Sequence, residues 1–396
     1  MVETFNKART GVRMPPLALY IHWPFCLAKC PYCDFNSHVR AKTDMAAWEA
    51  ALLADMAHEA ALLPGRELTS IFFGGGTPSL MPPSLVARLI EAAGQHWRLS
   101  DTIEITLEAN PSSVEAANFA ALADAGINRV SLGLQALDDQ TLHFLGRLHD
   151  AAEGLAALDV AQRHFARVTF DLIYARPDQT PESWMAELDR ALALGTGHMS
   201  LYQLTIEPGT RFATLVREGR FTPLDDDAAA DLFALTRERM TAAGLPAYEI
   251  SNHARPGEES RHNLTYWRYG DYAGIGPGAH GRRLERATVR HKKPENYLRA
   301  VSDQGHGLVE ERALGRCEQA SEALLMGLRL AEGLDVPALA QRFGLDQTAL
   351  IDPAKRALHL RGGLLREHGA RLVVTEAGMP VLNALLAELV PAELVA

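Results

Sequence analysis

Between residues 17 and 243, short apolar stretches alternate with longer helical stretches, and this alternation constrains the fold more than any other feature. The apolar stretches are short enough to be strands, and the helical stretches between them are about 10–15 residues long. Strands separated by helices of that length form βαβ units, whose strands pair in parallel. The sequence therefore predicts an α/β fold, a partial TIM-type barrel of the (β/α)6 type. The predicted strands are Leu17–Ile21, Ser70–Phe73, Ile103–Leu107, Arg129–Leu134, Val168–Phe170 and Met199–Tyr202.

Polar side chains stand where three of these strands end. Glu108, Gln135 and Asp171 each follow an apolar strand directly. In barrels of this kind, the polar groups at the carboxyl ends of the strands form the functional site. Three polar residues in the same position favour a shared cleft, and a solvated rim of the barrel is the alternative.

A cluster of cysteines follows the first strand. Three of the four cysteines of the chain lie within eight residues: Cys26, Cys30 and Cys33. Three thiolates on one loop can hold a metal centre but cannot complete a four-ligand one, so either a fourth residue joins them or a 4Fe–4S cluster keeps one iron open. The candidates for a fourth ligand are His22, Asp34 and His38. A structural zinc site with a histidine ligand and a disulfide with a spare thiol are the other interpretations. Cys317, far along the chain, is expected to be a buried small side chain.

A glycine run, Gly74–Gly76, follows the second strand and continues into Thr77. Without Cβ atoms, such a loop lets a ligand reach its backbone N–H and C=O groups. A tight turn is the ordinary alternative for a run of glycines. The position of the run, one strand–helix unit after the cysteine loop, favours a ligand-binding loop.

Residues 244–315 form a segment rich in histidine, glycine and aromatic residues. Its histidines include His253, His262 and His280. This composition is consistent with a packed loop containing buried imidazoles, and equally with a site for a flat ligand that takes an axial imidazole. The sequence leaves both interpretations open.

The chain divides into four predicted parts. Residues 1–16 are an N-terminal extension, 17–243 the barrel, 244–315 the histidine-rich segment, and 316–396 a second module. Helices, a short strand pair and a final helix in this module predict a small α+β domain of winged-helix type. It has no basic recognition helix, so DNA binding is not expected.

Composition excludes several classes of function. A net charge of -10 argues against a nucleic-acid partner, which normally needs a basic face. No stretch reaches the roughly 18 apolar residues of a membrane span, and residues 1–13 lack the apolar core of a signal peptide. Three clustered cysteines suit a reducing compartment. These features predict a cytoplasmic protein.

The spacing Cys-x3-Cys-x2-Cys, with the aromatic Tyr32 before the third cysteine, resembles that of the radical S-adenosylmethionine (SAM) superfamily. In that superfamily three cysteines hold a 4Fe–4S cluster, whose open iron binds the amino and carboxylate groups of SAM. An electron from the cluster then cleaves SAM to a 5′-deoxyadenosyl radical. The resemblance implies a cluster and SAM as cofactors, with Cys26, Cys30 and Cys33 as the cluster ligands.

Within the superfamily, the chain is similar to the oxygen-independent coproporphyrinogen III oxidase group over nearly its whole length. The matching stretches are Tyr20–Cys26, Gly74–Ser79, Leu132–Gln135, Asp171–Tyr174 and the C-terminal module. This similarity implies nine residues that contact SAM: Tyr20, Tyr32, Gly75, Gly76, Thr77, Glu108, Gln135, Arg147 and Asp171. Without it, Arg147 would be interpreted as a solvated cation in a helical stretch.

Two branches of this group differ in ways that the sequence distinguishes. The decarboxylating oxidases have a fourth cysteine where this chain has Phe35, and an N-terminal arm that residues 1–16 do not resemble. The heme-chaperone branch has three cysteines and a His-Asn-x-x-Tyr-Trp motif, which His262–Trp267 matches in full. The sequence therefore resembles the heme-chaperone branch more closely.

Membership of that branch implies a protein that binds heme and delivers it to respiratory heme proteins, with membrane-surface association through those acceptors. His262 is then the expected heme ligand, with Tyr266 and Trp267 beside the ring and Arg261 and Arg268 near the propionates. The alternative is a radical SAM enzyme that decarboxylates coproporphyrinogen III. Because of Phe35 and the missing arm, we expect no such activity.

Overall fold

The computed structural model describes residues 15–40, 43–391 and 394, so residues 1–14 of the predicted N-terminal extension lie outside the described residues. The strands, in chain order, are β1 (Leu17–Trp23), β2 (Phe25–Cys26), β3 (His38–Val39), β4 (Glu67–Gly75), β5 (Arg98–Ala109), β6 (Arg129–Gln135), β7 (Arg167–Tyr174), β8 (His198–Gln203), β9 (Asn252–Ala254), β10 (Asp271–Ile275), β11 (His280–Arg283), β12 (Arg286–Arg290), β13 (Leu308–Ala313), β14 (Leu334–Asp335), β15 (Leu365–His368) and β16 (Arg371–Val374). The helices are α1 (Met45–Leu62), α2 (Pro83–His96), α3 (Ser113–Ala116), α4 (Phe119–Asp124), α5 (Asp139–Phe144), α6 (Ala151–His164), α7 (Pro181–Leu192), α8 (Arg211–Arg217), α9 (Asp226–Ala242), α10 (Arg261–Trp267), α11 (Pro294–Gln304), α12 (Arg316–Gly327), α13 (Val336–Phe343), α14 (Gln347–Leu350), α15 (Pro353–Arg361) and α16 (Leu382–Leu389).

The main sheet has eleven strands in the order β13-β12-β11-β10-β1-β4-β5-β6-β7-β8-β9. The six predicted strands form the run β1-β4-β5-β6-β7-β8, in which every neighbouring pair is parallel. Among the described residues the sheet does not close, because β13 and β9 are its two edges. The structure thus confirms the predicted α/β fold with an open parallel sheet, and it brings the carboxyl ends of the six strands to one side.

Strand register sorts the side chains of the sheet onto two faces. Leu19 pairs with Ile71 and lies buried in the main apolar core, which includes helix α1. The next pair, Tyr20 with Phe72, faces the other way and lines a cavity. Burying one large apolar side chain stabilises the fold by roughly 1.5–3 kcal/mol, so the alternation determines which face is core and which is free for a ligand.

Segment 244–315 contributes five strands, β9 to β13, to the main sheet, and the sequence analysis predicted none of them. Strand β10 lies beside β1 in parallel, and β11 to β13 extend the sheet as antiparallel neighbours. Glycines hide the strand pattern because the backbones approach closely: a Cβ on Gly274 would lie 1.9 Å from the carbonyl oxygen of His280. The sheet therefore continues across the predicted boundary at residue 243.

A network of buried ion pairs connects segment 244–315 to helix α1. Arg290 on β12 pairs with Asp55 (3.1 Å) and Glu59 (2.7 Å) of α1, and Arg283 on β11 pairs with Glu59 (2.6 Å). The hydroxyl of Tyr297 also donates to Asp55 (2.9 Å). Each buried charge has an opposite charge within hydrogen-bond distance, which offsets the cost of removing it from water.

The C-terminal module is a separate α+β unit, as predicted. Strands β14, β16 and β15 form a three-stranded sheet of their own, and helices α12 to α16 belong to the same module. Tyr269, just after α10, belongs to the apolar core of this module. Cys317 on α12 is exposed, so the expectation that it is buried is wrong.

No helix in the described part of the chain is both long and apolar enough to cross a membrane.

Candidate functional site

The three clustered cysteines lie on the loop that leaves the carboxyl end of β1. Cys26 ends the short strand β2, and the N–H of Cys33 closes a turn by donating to the carbonyl of Cys30 (3.1 Å). All three are free thiols, and all three line one cavity of about 200 Å³. The structure therefore has three thiols on one cavity wall, and not a disulfide with a spare thiol. We call this space the thiol cavity.

Each of these thiols has a hydrogen-bond partner, and for Cys33 Sγ it is Ser37 Oγ at 4.0 Å. Thr77 Oγ1 donates to Cys26 Sγ (3.4 Å), and Arg147 Nη1 donates to Cys30 Sγ (3.4 Å). Burial raises the pKa of the Cys26 thiol above its usual value, and the bond from Thr77 offsets part of that rise. Metal coordination deprotonates a thiol, so a bound metal centre would reverse the effect of burial.

The donor set of the thiol cavity fits the predicted 4Fe–4S cluster. Three partly buried thiols line the cavity, whereas the fourth-ligand candidates His22, Asp34 and His38 do not. His22 instead bonds to the hydroxyl of Tyr20 (3.0 Å) and the carbonyl of Asn36 (2.9 Å). Among the described residues, no three His, Cys, Asp or Glu side chains are grouped as ligands of one metal ion. Three thiolates suit a cluster that leaves one iron open.

The glycine run at the end of β4 forms the neighbouring wall of the cavity. The N–H of Gly76 donates to the carbonyl of Trp23 (2.7 Å), and that of Thr77 donates to Phe25 (2.8 Å). Gly75 has a φ of 112°, and a Cβ there would lie 2.5 Å from the ring of His22. Only glycine adopts this backbone conformation without strain. Because Gly75 has no side chain, the glycine run can pack closely against the cysteine loop.

Glu108, Gln135 and Asp171 come together on the thiol cavity. Glu108 Oε2 accepts from the N–H of Gly75 (3.1 Å), and Asp171 Oδ1 accepts from the hydroxyl of Ser131 (3.4 Å). Burial, with a smaller effect of Asp171, raises the pKa of Glu108 from 4.5 to about 8. Burial also raises the pKa of Asp171 from 3.8 to about 6. The three strand ends thus meet at a cleft and do not form a solvated rim.

The raised pKa of Glu108 predicts a pH-dependent stability for the ligand-free protein. Between pH 4.5 and 8 the folded state keeps a proton that the unfolded chain has lost, so this group makes stability fall as pH rises. Glu108→Gln should remove that dependence. As the pH rises from 5 to 8, the free energy of unfolding of the variant should increase by about 2 kcal/mol relative to that of the native protein. That is roughly half of the full linkage, because Glu108 keeps some contact with solvent.

The measurement is the free energy of unfolding of both proteins in denaturant at pH 5, 6, 7 and 8. The exposed Glu238 supplies a matched control, since Glu238→Gln removes a carboxyl that lines neither this cavity nor its larger neighbour. A difference between Glu108→Gln and the native protein that stays constant with pH would contradict the prediction.

Arg147 lies in the turn between α5 and α6, and not within a helix as its sequence context suggested. Besides Cys30, its guanidinium donates to Asn110 Oδ1 (2.6 Å) and to the carbonyl of Gly133 (3.0 Å). A contact with the hydroxyl of Tyr32 (3.5 Å) completes its surroundings. Arg147 is therefore a fixed cation beside the thiols, and no local pattern in the sequence indicates it.

Most of the residues expected to contact SAM share the thiol cavity. Eight of the nine line it: Tyr32, Gly75, Gly76, Thr77, Glu108, Gln135, Arg147 and Asp171. The ninth, Tyr20, lines a larger neighbouring cavity. Sequence reasoning missed Asn110, which lies on the thiol cavity and donates to Thr77 Oγ1 (3.0 Å). Its place two residues after Glu108, beyond the same strand, is the signal that could have indicated it.

The larger cavity has a volume of about 990 Å³ and adjoins the thiol cavity. The two share five lining residues: Phe35, Gly75, Glu108, Ser131 and Asp171. Aromatic side chains line much of the larger space: Tyr20, Phe72, Tyr202, Tyr266, Trp267 and Tyr272. We call it the aromatic cavity. Phe35, at the position that distinguishes the two family branches, is 60% exposed where the cavities meet.

Helix α10, which carries the His-Asn-x-x-Tyr-Trp motif, is fixed by a buried carboxylate. Glu104 Oε1 accepts from the backbone N–H of Arg261 (2.9 Å) and of His262 (3.3 Å) at the start of α10. The same carboxyl group pairs with Arg167 and lies 3.9 Å from the guanidinium of Arg129. A negative charge at the amino end of a helix is favourable, so Glu104 both caps α10 and neutralises the arginines.

His262 is buried and lines the aromatic cavity. Its Nδ1 bonds to the hydroxyl of Ser70 (3.2 Å), and its ring stacks on Phe72 with centroids 4.9 Å apart. Burial lowers the pKa of His262 to about 4, so the ring is neutral near pH 7. In the tautomer in which Nδ1 carries the proton and donates to Ser70, the lone pair of Nε2 is available for a ligand.

Of the other residues expected at a flat-ligand site, some line the aromatic cavity and others do not. Tyr266 and Trp267 line the aromatic cavity, but neither Arg261 nor Arg268 does. Arg268 pairs with Glu332 (2.8 Å) away from it. The cations that do line the cavity are Arg129 and Lys292. His280 lies exposed on its lining, and His253 is buried in β9 outside it.

The fold and the thiol cavity together define a class of protein: an open parallel α/β barrel with three cysteines on the loop after its first strand. Comparison with known families agrees with that class. The sequence matches the Radical SAM superfamily over residues 20–191 and the HemN C-terminal domain over residues 315–381.

Individual relatives narrow the class. The chain is 38% identical to the heme chaperone HemW of Haemophilus influenzae, over 94% of this chain and 98% of that protein. It is 41% identical to the mitochondrial radical S-adenosyl methionine domain-containing protein 1 of Bos taurus, over 80% of this chain and 74% of that protein. The fold resembles coproporphyrinogen III oxidase (HemN) of Escherichia coli, with a TM-score of 0.79 at 24% identity, covering 95% of this chain and 90% of that one. The chain therefore belongs to the HemW family of the radical SAM superfamily.

Proposed function

We propose that this protein is a heme chaperone: it binds heme in the aromatic cavity and passes it to respiratory heme proteins. In this proposal Cys26, Cys30 and Cys33 hold a 4Fe–4S cluster, and SAM binds beside it in the thiol cavity. The observation that carries the proposal is His262, a neutral imidazole on the wall of a cavity of about 990 Å³ next to the three thiols. The relatives named heme chaperones support it.

The size and lining of the aromatic cavity suit heme. Pockets for ligands of this size have volumes of about 300–1,000 Å³ and are mostly apolar, with a few polar groups that fix orientation. Heme is flat and apolar apart from its iron and two propionates, which need an imidazole nitrogen and cations respectively. Tyr20, Phe72 and Tyr266 provide aromatic surface, and Lys292 provides a cation.

The surroundings of His262 orient its ring. A hydrogen bond to Nδ1 sets the tautomer of a metal-binding histidine and the direction of its other nitrogen. Here Ser70 makes that bond, and the stacked ring of Phe72 supports one face of the imidazole. Glu104 holds the helix that carries His262 at its first turn. The ligand nitrogen is thus positioned before heme arrives, which reduces the entropy lost on binding.

The thiol cavity provides a donor set for the other two cofactors. A 4Fe–4S cluster with bound SAM supplies one-electron chemistry. The chain supplies thiolates from its three cysteines, exposed backbone groups at Gly75 and Gly76, and the side chains of Glu108 and Asp171. Arg147 would balance the negative charge of the thiolates, because its guanidinium lies 3.4 Å from Cys30 Sγ.

The test is a heme titration followed by the Soret band. Native protein should bind heme saturably, and His262→Ala should weaken binding by roughly tenfold or more and shift the band, because an axial imidazole is lost. The matched control is His280→Ala, which removes an exposed imidazole on the same cavity but outside the motif. If the spectrum and affinity are unchanged in His262→Ala but change in His280→Ala, the heme ligand does not lie on α10.

The same protein preparation distinguishes a chaperone from an enzyme. We expect no decarboxylation of coproporphyrinogen III when the reconstituted protein is incubated with it under reducing conditions with SAM. Product above the no-protein control would favour the oxidase alternative. Transfer of bound heme to an apo respiratory heme protein, followed by its absorption spectrum, tests the delivery step.

A further inference from the structure

A third cavity lies at the junction of the main sheet and the C-terminal module. Its volume is about 320 Å³, and it is separate from the two cavities already described. Its charged lining comes from both units: Asp271, Arg282, Glu285, Arg316 and Arg342, with Tyr269 and Phe343 as aromatic neighbours. Arg282 lies on β11, Arg316 begins α12, and Arg342 lies near the end of α13. Three guanidinium groups from three elements thus meet around one space.

None of these three arginines forms an ion pair within the described part of the chain, whereas most arginines as buried as Arg282 do. Arg316 and Arg342 are exposed at the mouth of the cavity. Two carboxylates also line the cavity, but Asp271 is already paired with Arg66 (2.9 Å). That leaves Glu285, which is exposed on a hairpin turn, against three cations. Bringing like charges together without partners is unfavourable, and Arg282 is only 6% exposed, so water screens it poorly.

The structure holds the guanidinium groups of Arg282 and Arg342 in place without using most of their N–H donors. Arg282 Nη2 donates to the carbonyl of Gly270 (2.9 Å), and Arg342 Nη2 donates to that of Tyr269 (3.0 Å). The Arg282 guanidinium also lies 3.6 Å from the centroid of the Tyr269 ring, and that of Arg342 lies 5.4 Å from it. Each guanidinium carries five N–H donors, so several remain for a ligand.

We propose that this cavity binds a small oxyanion with at least two negative charges, held between Arg282, Arg316 and Arg342. Planar guanidinium groups match the paired oxygens of phosphoryl and carboxylate groups, which accept two parallel N–H bonds. A dianion supplies the charge that the three arginines lack, and a bound dianion of this kind fits a space of this size. The inference is independent of the proposed heme function.

Because of the position of the cavity, a bound anion should affect the junction between the main sheet and the C-terminal module. Tyr269 follows α10 directly, has a φ of 56°, and belongs to the core of the C-terminal module. An anion bound between Arg282, Arg316 and Arg342 would therefore join the main sheet to the C-terminal module, beside Tyr269 at the end of the helix that carries His262. Binding should raise the unfolding temperature of the full chain, because the anion binds only the folded junction.

Equilibrium dialysis of the full chain with pyrophosphate, at fixed ionic strength, tests the proposal. We expect saturable binding of one pyrophosphate per chain. Arg316→Gln and Arg342→Gln should each weaken it by roughly tenfold, the loss expected for one charge-assisted hydrogen-bonded contact. The matched control is Arg366→Gln, which removes an exposed, unpaired arginine of the same module outside the cavity. Circular dichroism establishes that each variant is folded.

Malonate as a competitor identifies the ligand chemistry. Displacement of pyrophosphate by malonate would extend the site to dicarboxylates, and failure to displace would restrict it to phosphoryl groups. The proposal is overturned if pyrophosphate binding does not saturate, or if it is equally tight in the native protein, both cavity variants and Arg366→Gln.

Discussion

Replacing Cys30 by Ala is expected to remove most of the iron that the reconstituted protein holds. If the three thiols hold a 4Fe–4S cluster, anaerobic reconstitution should give about four irons per chain, and loss of one thiolate leaves too few ligands to retain them. Cys30 is also the thiol that Arg147 contacts, so the variant removes one hydrogen-bond acceptor from a partly buried cation. Iron content and the absorption spectrum of the reconstituted protein measure the effect.

Cys317→Ala is the matched control for this experiment. Cys317 is a free thiol, but it lies exposed on α12 in the C-terminal module. Its replacement should leave the iron content unchanged, and addition of SAM should still change the EPR signal of the reduced cluster. Full iron in Cys30→Ala, or one zinc ion per chain in the native protein, would refute the cluster assignment.

Glu104→Gln is expected to destabilise the fold by about 3–5 kcal/mol, the cost of leaving buried charge without its partner. Glu104 is buried on β5 and neutralises Arg129 on β6 and Arg167 on β7. The amide keeps an oxygen that can accept from the N–H groups of α10 but removes the negative charge that stabilises the helix start. The free energy of unfolding in denaturant measures the loss.

Glu258→Gln controls for the loss of a charge near Arg167. Glu258 pairs with Arg167 at 2.9 Å but its side chain is 41% exposed, so its removal should cost less than about 1 kcal/mol. Because Glu104 also fixes the helix that carries His262, Glu104→Gln should weaken heme binding while Glu258→Gln should not. Equal losses of stability in the two variants would show that burial of Glu104 does not increase its contribution to stability.

Part of the site can be predicted from the sequence, because those residues lie at short distances along the chain from recognisable strands. The cysteines, the glycine run and the three strand-end polar residues sit at fixed offsets from predicted strands, and parallel strands bring their carboxyl ends together. Tyr20 differs from the other residues expected to contact SAM, since its side chain lines the aromatic cavity and not the thiol cavity. Arg147 came only from family resemblance, because its contact with Cys30 spans 117 residues of sequence.

The alternation of strands and helices, the cysteine loop after β1 and the motif on α10 could be predicted because each is set by spacing within a few residues. That segment 244–315 joins the main sheet through β10 follows from packing in space, and closely packed glycines conceal its strand pattern in the sequence. Only the tertiary structure decided that Glu104 caps α10, a contact across 157 residues. Such contacts depend on how elements pack in space, and local periodicity carries no information about which distant side chains a buried charge will meet.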